Sequence, residues 1–146
     1  MAALRSGSLD FVLDPPVQDV AALKSEPSLK VWDGAEVRIM MIGFDQWRDE
    51  LQYSDVKGRN PFKDRRVRQA FYQAIDIEAI RTRIMRGVST PTGLMVAPAV
   101  QGFAPELNKR LPHDPEAAKK LLAEAGYPNG FEVGMHCPND RYVNDG

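Results

Sequence analysis

Residues 60–71 read NPFKDRRVRQAF, and residues 72–80 continue as YQAIDIEAI. Asp64 is a plausible N-cap, because its carboxylate can accept hydrogen bonds from the first free backbone amides of a helix. The apolar side chains that follow recur at the spacing of one face of an α-helix. They are Val67, Ala70, Phe71, Ala74 and Ile75. This stretch therefore predicts an amphipathic helix with one buried face.

Two further helices are predicted on the C-terminal side of this stretch. Asp76 can cap a helix that ends at Gly87, where a glycine can take the left-handed conformation. Asp114 and Pro115 open another helix, because proline is well tolerated at a first helical position. That helix ends at Gly126, and the Pro- and Gly-rich residues 88–113 between the two predict an irregular, wrapped loop.

On the N-terminal side, a short helix over residues 2–5 and a second helix are predicted. The Asp14-Pro15 pair can open the second helix, with Asp14 as N-cap and Pro15 in the first position. This helix is expected to end near Pro27.

Four apolar segments have the length and composition of β-strands: residues 9–13, 29–32, 37–44 and 131–135. Residues 37–44 are apolar at nearly every position after Arg38. Such a run predicts burial on both faces, as in the centre of an α/β sheet. Helices and strands interleave along the chain, so the predicted fold class is α/β.

Composition narrows the possible functions. The chain has 146 residues with 19 basic and 20 acidic side chains, and this balance argues against a nucleic-acid binder. Since Cys137 is the single cysteine, an intrachain disulfide is excluded.

The apolar run over residues 39–44 is too short to span a bilayer. Residues 1–7 lack the apolar stretch of a signal peptide, as expected both for a cytoplasmic protein and for a piece from inside a mature chain.

The stretch over residues 60–80 resembles a signature of the family 5 solute-binding proteins, which include oligopeptide-, dipeptide- and nickel-binding receptors of ABC importers. Three other segments resemble this family in the same order along the chain. They are SGSLD at residues 6–10, DPEAAKKLLAEAGYPNGF at residues 114–131 and CPNDRY at residues 137–142. Together the four segments cover nearly the whole chain.

The resemblance implies a periplasmic-binding-protein-like fold of type II, in which two lobes close around a cleft. The chain is then expected to be an internal fragment of a periplasmic receptor, forming a partial lobe with a mixed sheet and flanking helices. Residues 1–37 would form the edge of the first lobe and residues 38–45 a strand that crosses the hinge. Residues 46–146 would begin the second lobe.

The resemblance also implies ligand-binding residues. The loop that contains Leu13, Asp14 and Pro15 aligns with a loop that touches the ligand in peptide-binding relatives. Helix capping is the alternative role for Asp14. Asn139, Asp140 and Arg141 form a polar loop at the expected edge of the cleft, and a helix start is their alternative interpretation.

In the hinge strand, the implied cleft-lining residues are Arg38, Met40, Met41 and Ile42. Met side chains are flexible and polarizable, which suits a pocket that receives varied side chains. Arg38 could bind a ligand carboxylate through two parallel hydrogen bonds. The alternatives are ordinary core packing for Met40 and Ile42, and a structural salt bridge for Arg38.

Two other groups of residues have structural interpretations. The basic side chains near the start of the central helix predict a solvated face or ion pairs within a lobe, rather than a phosphate site: Lys63, Arg65, Arg66 and Arg68. Adjacent residues such as His136 and Cys137 point to opposite faces of a strand, so a shared metal is not expected. No cofactor or metal site is predicted.

No catalytic motif is present, so we do not expect an enzyme. The predicted function is capture of a small solute, expected to be an oligopeptide, and its delivery to an ABC permease. One alternative is a truncated lobe that self-associates as a homodimer without binding a ligand. Another alternative is the sensor domain of a regulator.

Overall fold

The computed structural model describes residues 1–139, and the elements within that range are helical. The longest helices have 10 residues, and no described helix is long and apolar enough to cross a membrane. The elements are α1 (Ala2–Arg5), α2 (Val17–Lys24), a 3-10 turn (Pro61–Lys63), α3 (Arg65–Ala74), α4 (Ile77–Ala79) with its π-helical continuation (Ile80–Ile84), a 3-10 turn (Pro105–Leu107) and α5 (Pro115–Glu124).

The chain divides into two compact units. The first unit contains Met1–Glu36, Ala79–Thr90 and the described residues from His136 onward. The second unit contains Val37–Glu78 and Pro91–Met135. The lobe boundaries expected from the family resemblance, at residues 37 and 45, stay predictions.

The central helix forms as predicted. The Asp64 carboxylate accepts a hydrogen bond from the backbone N–H of Arg66 at 2.8 Å, so Asp64 is the N-cap of α3. Val67 and Ala70 are buried. At the C-terminal end Gln73 is buried and the predicted Ala74 is exposed. The Gln73 backbone carbonyl accepts a hydrogen bond from the N–H of Asp114, and its side-chain oxygen accepts one from Gln69.

Helix α5 also forms as predicted and packs against α3. The Asp114 carboxylate caps it by accepting a hydrogen bond from the backbone N–H of Ala117 at 2.9 Å. Gly126 has a φ of 91°, a conformation that favours glycine, and follows the end of the helix. Arg66 of α3 donates to the carbonyl of Glu124 at 2.8 Å, so the two helices are joined by a hydrogen bond as well as by packing.

An aromatic cluster forms the centre of the second unit. The Phe62 ring lies 4.8 Å from Phe44, 5.3 Å from Phe71 and 6.0 Å from Phe131, measured between centroids. Tyr127 contacts Phe131 at 4.9 Å. Because these rings come from segments far apart in sequence, the cluster holds residue 44, the 3-10 turn, α3 and residues 127–131 in one core.

The predicted mixed sheet is not formed within residues 1–139, and the four predicted strands there have no ladder partners. Ser54 and Val133 form an isolated antiparallel bridge, supported by a hydrogen bond from the Gly134 N–H to the Tyr53 carbonyl. A strand requires a neighbouring backbone to accept and donate its hydrogen bonds. The apolar pattern of residues 37–44 predicts burial but does not supply that neighbour, and the prediction of a central strand is wrong for this structure.

The start of α2 differs from the prediction. The helix begins at Val17 with Pro16 as N-cap, and no side chain caps it. Asp14 has a φ of 49° and lies in a turn before the helix. Pro15 is followed by Pro16, and a residue that precedes a proline is disfavoured in the helical conformation. Pro15 therefore does not open the helix. The capping interpretation of Asp14 is therefore wrong.

The helix predicted after Asp76 forms, but its second half is a π-helix over Ile80–Ile84. The backbone N–H of Met85 donates to the carbonyl of Ile80, five residues earlier. Gly87 has a φ of 83° and its N–H donates to the Arg81 carbonyl, which ends the helix where predicted.

The wrapped loop of the second unit is irregular, as predicted, except for its 3-10 turn. The Asn108 side-chain oxygen accepts hydrogen bonds from the Thr92 hydroxyl at 2.8 Å and from the Gly93 N–H at 2.7 Å. The Arg110 guanidinium lies over the Tyr72 ring at 4.5 Å. These contacts attach both ends of the loop to each other and to α3.

We expect the stability of the second unit to fall in acid through Asp64. The hydrogen bond from the Arg66 guanidinium holds the pKa of the Asp64 carboxyl below its ordinary value. As the pH falls, the Asp64 carboxyl of the unfolded chain therefore takes up its proton at a higher pH than that of the folded chain. The stabilisation is complete above the ordinary pKa of about 3.9 and is lost as the pH falls through the folded-state pKa.

An NMR titration of the Asp64 carboxyl checks this pKa directly. Urea unfolding between neutral pH and acid should show a shallower pH dependence in Asp64→Asn, which keeps an N-cap oxygen but has no charge. An equal pH dependence in both proteins would contradict the assignment. Asp10→Asn, a change at an exposed carboxylate, is the matched control.

Candidate functional site

The predicted hinge segment lies in the second unit and is accessible. The apolar ribbon, defined here as Val37, Met40, Met41 and Ile42, precedes Phe44, which packs into the aromatic cluster. Met40 is 71% exposed and Met41 is 64% exposed. The core-packing interpretation of Met40 and Ile42 is therefore wrong for the described residues. The ribbon presents thioether and aliphatic side chains from a segment whose C-terminal end packs into the aromatic cluster.

Arg38 lies beside the ribbon and is exposed. In sequence Arg38 lies just before the two exposed methionines of the ribbon. This combination of a cation with soft apolar side chains can receive a ligand that carries both a carboxylate and apolar groups.

Asn60 attaches the segment after the ribbon to the helical core. Asn60 is 6% exposed, and its side chain makes three hydrogen bonds. The amide N–H groups donate to the carbonyl of Asp45 at 2.8 Å and of Arg48 at 2.9 Å. The amide oxygen accepts from the backbone N–H of Phe62 at 2.9 Å. Asn60 thus fixes residues 45–48 against the start of the 3-10 turn.

The turn that Asn60 fixes presents Trp47 to solvent. The Asp45 carboxylate accepts hydrogen bonds from the N–H groups of Trp47 at 3.1 Å and Arg48 at 3.2 Å. The Arg48 guanidinium also pairs with this carboxylate and lowers the pKa of Asp45. Trp47 is 88% exposed. An aromatic side chain held in this way is a candidate contact residue, because its backbone is already ordered.

The sequence analysis assigned no role to Asn60 or to Trp47. A signal was present in the Asn60-Pro61-Phe62 triplet. Asn side chains often accept a hydrogen bond from the backbone two residues later, which is the bond that Phe62 donates here. The two carbonyl partners of Asn60 lie 12 and 15 residues away and have no local signal.

The other predicted ligand residues lie in the first unit or outside the described range. Leu13 is 75% exposed, Asp14 is exposed and Pro15 is half-buried. Asn139 is exposed, while Asp140 and Arg141 lie outside the described residues. The structure thus groups the predicted residues of the hinge segment in one unit and those of the Leu13 loop in the other.

The basic side chains near α3 bind partners within the second unit. The Lys63 ammonium pairs with Asp49 and lowers the pKa of the Asp49 carboxyl. Arg66 pairs with Asp64 at 2.6 Å. Arg68 donates to the Phe62 carbonyl at 2.6 Å. The interpretation as internal ion pairs is confirmed for Lys63 and Arg66.

Within residues 1–139, the His, Cys, Asp and Glu side chains form no group of three or more that could hold a metal ion. Cys137 is an exposed free thiol. The His113 Nδ1 atom lies 3.9 Å from a carboxylate oxygen of Asp76.

Residues 1–144 match the family described as bacterial extracellular solute-binding proteins, family 5 middle. Heme-binding protein A of Haemophilus influenzae is 34% identical over 132 residues, which are 90% of this chain and 22% of that protein. Glutathione-binding protein GsiB of Escherichia coli strain K12 is 27% identical over 134 residues, covering 92% of this chain and 24% of that protein. The chain thus spans less than a quarter of the length of these relatives. No solved structure matches it significantly.

Proposed function

Because the chain belongs to the bacterial extracellular solute-binding proteins of family 5, we propose that it forms part of an extracytoplasmic receptor for an ABC importer. The receptor captures a small solute and delivers it to the membrane permease. The match to the family over residues 1–144 is the observation that carries this proposal. The family is one of binding proteins, and we assign no reaction to the chain.

The proposed solute is an oligopeptide. Glutathione, which one relative is named for, is itself a small peptide with free carboxylates. The apolar ribbon and Arg38 offer matching chemistry, since the exposed Met40 and Met41 adapt to varied side chains and a guanidinium binds a carboxylate. Heme, which another relative is named for, also combines apolar surface with carboxylates and is the competing ligand to test.

In the proposed mechanism, two lobes close about a hinge and bury the solute. The ribbon and Arg38 line the cleft from the hinge segment. Leu13, Asp14 and Pro15 contact the solute from the first lobe, and Asn139, Asp140 and Arg141 contact it at the cleft edge. Because the solute is held between two walls, the 146-residue chain alone is expected to bind it weakly.

Self-association is a second candidate function for the chain by itself. The apolar ribbon and Trp47 are exposed in the same unit. A second copy of the chain that covered this surface would remove apolar area from water. The product would be a homodimer without a ligand.

Native mass spectrometry tests both candidates, applied to the chain and to a receptor of the relatives' full length that contains it. We expect the receptor to retain peptides with a free C-terminal carboxylate in preference to their amides, and in preference to heme. Arg38→Gln should reduce this retention at least about tenfold, because a charge-assisted hydrogen bond is lost. Arg65→Gln, at an exposed arginine of α3, is the matched control.

Three outcomes would count against these proposals. Preferential retention of heme would replace the oligopeptide as the solute. Micromolar binding of a peptide by the 146-residue chain would overturn the role given to the opposing wall. A monomeric chain at high concentration would reject the homodimer.

A further inference from the structure

A small cavity in the first unit is separate from the residues discussed so far. It lies between α2 and the turn that follows the π-helix, and its volume is about 270 Å³. We call it the α2 pocket. Its lining residues are Val17, Gln18, Val20, Ala21, Lys24, Arg86 and Val88.

The floor of the α2 pocket is aliphatic. Val17 and Val20 lie one helical turn apart on α2 and are half-buried, while Val88 faces the cavity from the other side and is 46% exposed. Apolar surface of this kind is stabilised when a hydrocarbon group displaces water from it.

The charged side chains that line the α2 pocket are positive. Its lining includes the cations Lys24 and Arg86 and no carboxylate. The Lys24 ammonium contacts Asp33 at 3.1 Å in an exposed ion pair, which water screens and which a ligand can share. Within residues 1–139 the Arg86 guanidinium makes no ion pair or hydrogen bond.

Arg86 lines the pocket from a turn with an unusual backbone conformation. Arg86 has a φ of 50°, in the left-handed region that non-glycine residues rarely adopt, and Gly87 follows with a φ of 83°. The hydrogen bond from the Gly87 N–H to the Arg81 carbonyl, at 2.8 Å, holds this turn. Strained backbone of this kind is often found where a side chain is held for binding.

We propose that the α2 pocket binds a free aliphatic carboxylic acid of small size. The carboxylate lies on Arg86 and Lys24, and the hydrocarbon chain lies on Val17, Val20 and Val88. Since water takes about 30 Å³ in the liquid, the cavity has room for about nine waters, or for an acid of about eight non-hydrogen atoms such as hexanoate. This site does not depend on the receptor function proposed above.

A titration of the isotope-labelled 146-residue chain with hexanoate tests the site, followed by the amide NMR shifts of α2 and of residues 86–88. We expect saturable shifts at these amides. Acetate, which lacks the chain, and 1-hexanol, which lacks the charge, should each bind at least about tenfold more weakly. Equal binding of 1-hexanol would reject the carboxylate contact, and the absence of saturable shifts would reject the site.

Two variants separate a bound carboxylate from a general effect of charge. Arg86→Gln should weaken hexanoate binding at least about tenfold. The matched control Arg83→Gln removes an exposed cation that does not line the cavity and should leave binding unchanged. Val88→Thr provides a check that leaves Arg86 and its turn unchanged, and it should weaken hexanoate binding more than acetate binding. Equal weakening by Arg86→Gln and Arg83→Gln would overturn the proposal.

Discussion

Phe62→Ala is expected to lower the free energy of unfolding of the second unit by about 3–5 kcal/mol. Phe62 is 5% exposed and contacts Phe44, Phe71 and Phe131 within the aromatic cluster. Removing its ring leaves a cavity among side chains that come from three different segments. These segments cannot all move inward, since each is also held by hydrogen bonds, so the cavity is only partly refilled.

Urea unfolding followed by far-UV circular dichroism measures this change, since α3 and α5 supply much of the helix in the second unit. Phe11→Ala removes the same ring at a position that is 67% exposed and should change stability by less than about 0.5 kcal/mol. Phe62→Leu keeps most of the apolar volume and should fall between the two. A loss below about 1 kcal/mol for Phe62→Ala would show that the cluster is not the core of the unit.

Asn60→Ala is expected to lower the free energy of unfolding by about 2–4 kcal/mol. The change leaves the buried N–H of Phe62 without its acceptor and two backbone carbonyls without their donor. A buried polar group that loses its partner is destabilising by more than an average hydrogen bond contributes. Because the lost bonds hold residues 45–48, the turn that presents Trp47 should also loosen.

The same unfolding experiment measures the stability, and amide hydrogen exchange at residues 45–48 reports on the turn. Asn129→Ala, at an exposed position in a surface turn, is the matched control and should have little effect. Asn60→Asp keeps the oxygen that accepts from Phe62 but loses the donor to the two carbonyls. It should be at least as destabilising as Asn60→Ala at neutral pH, since a carboxylate would then face those carbonyls. Unchanged exchange in Asn60→Ala would contradict the anchoring role.

These two changes bear on the proposed receptor as well as on stability. Phe44 and Asn60 attach the C-terminal end of the ribbon segment to the helical core. If the ribbon lines a cleft, loosening its attachment should weaken solute binding without changing any residue that touches the solute.

The sequence by itself determined the helices of the second unit and the family. In α3 and α5 the cap, the apolar spacing and the terminal residues all lie within one short window, so local chemistry specifies the element. The same local motifs carry the resemblance that the family match confirms. The ion pair between Arg66 and Asp64 is local as well, because the two residues lie together at the start of α3. The pair between Lys63 and Asp49 joins residues 14 positions apart.

The tertiary structure alone decided which apolar segments are buried. Residues 37–44 have the composition of a buried strand, yet Met40 and Met41 are exposed while Phe44 packs into the core. Burial depends on which distant segments meet a side chain, and a strand also depends on a neighbouring backbone for its hydrogen bonds. The role of Asn60 has the same origin, since its carbonyl partners are separated from it in sequence and reach it only through the fold.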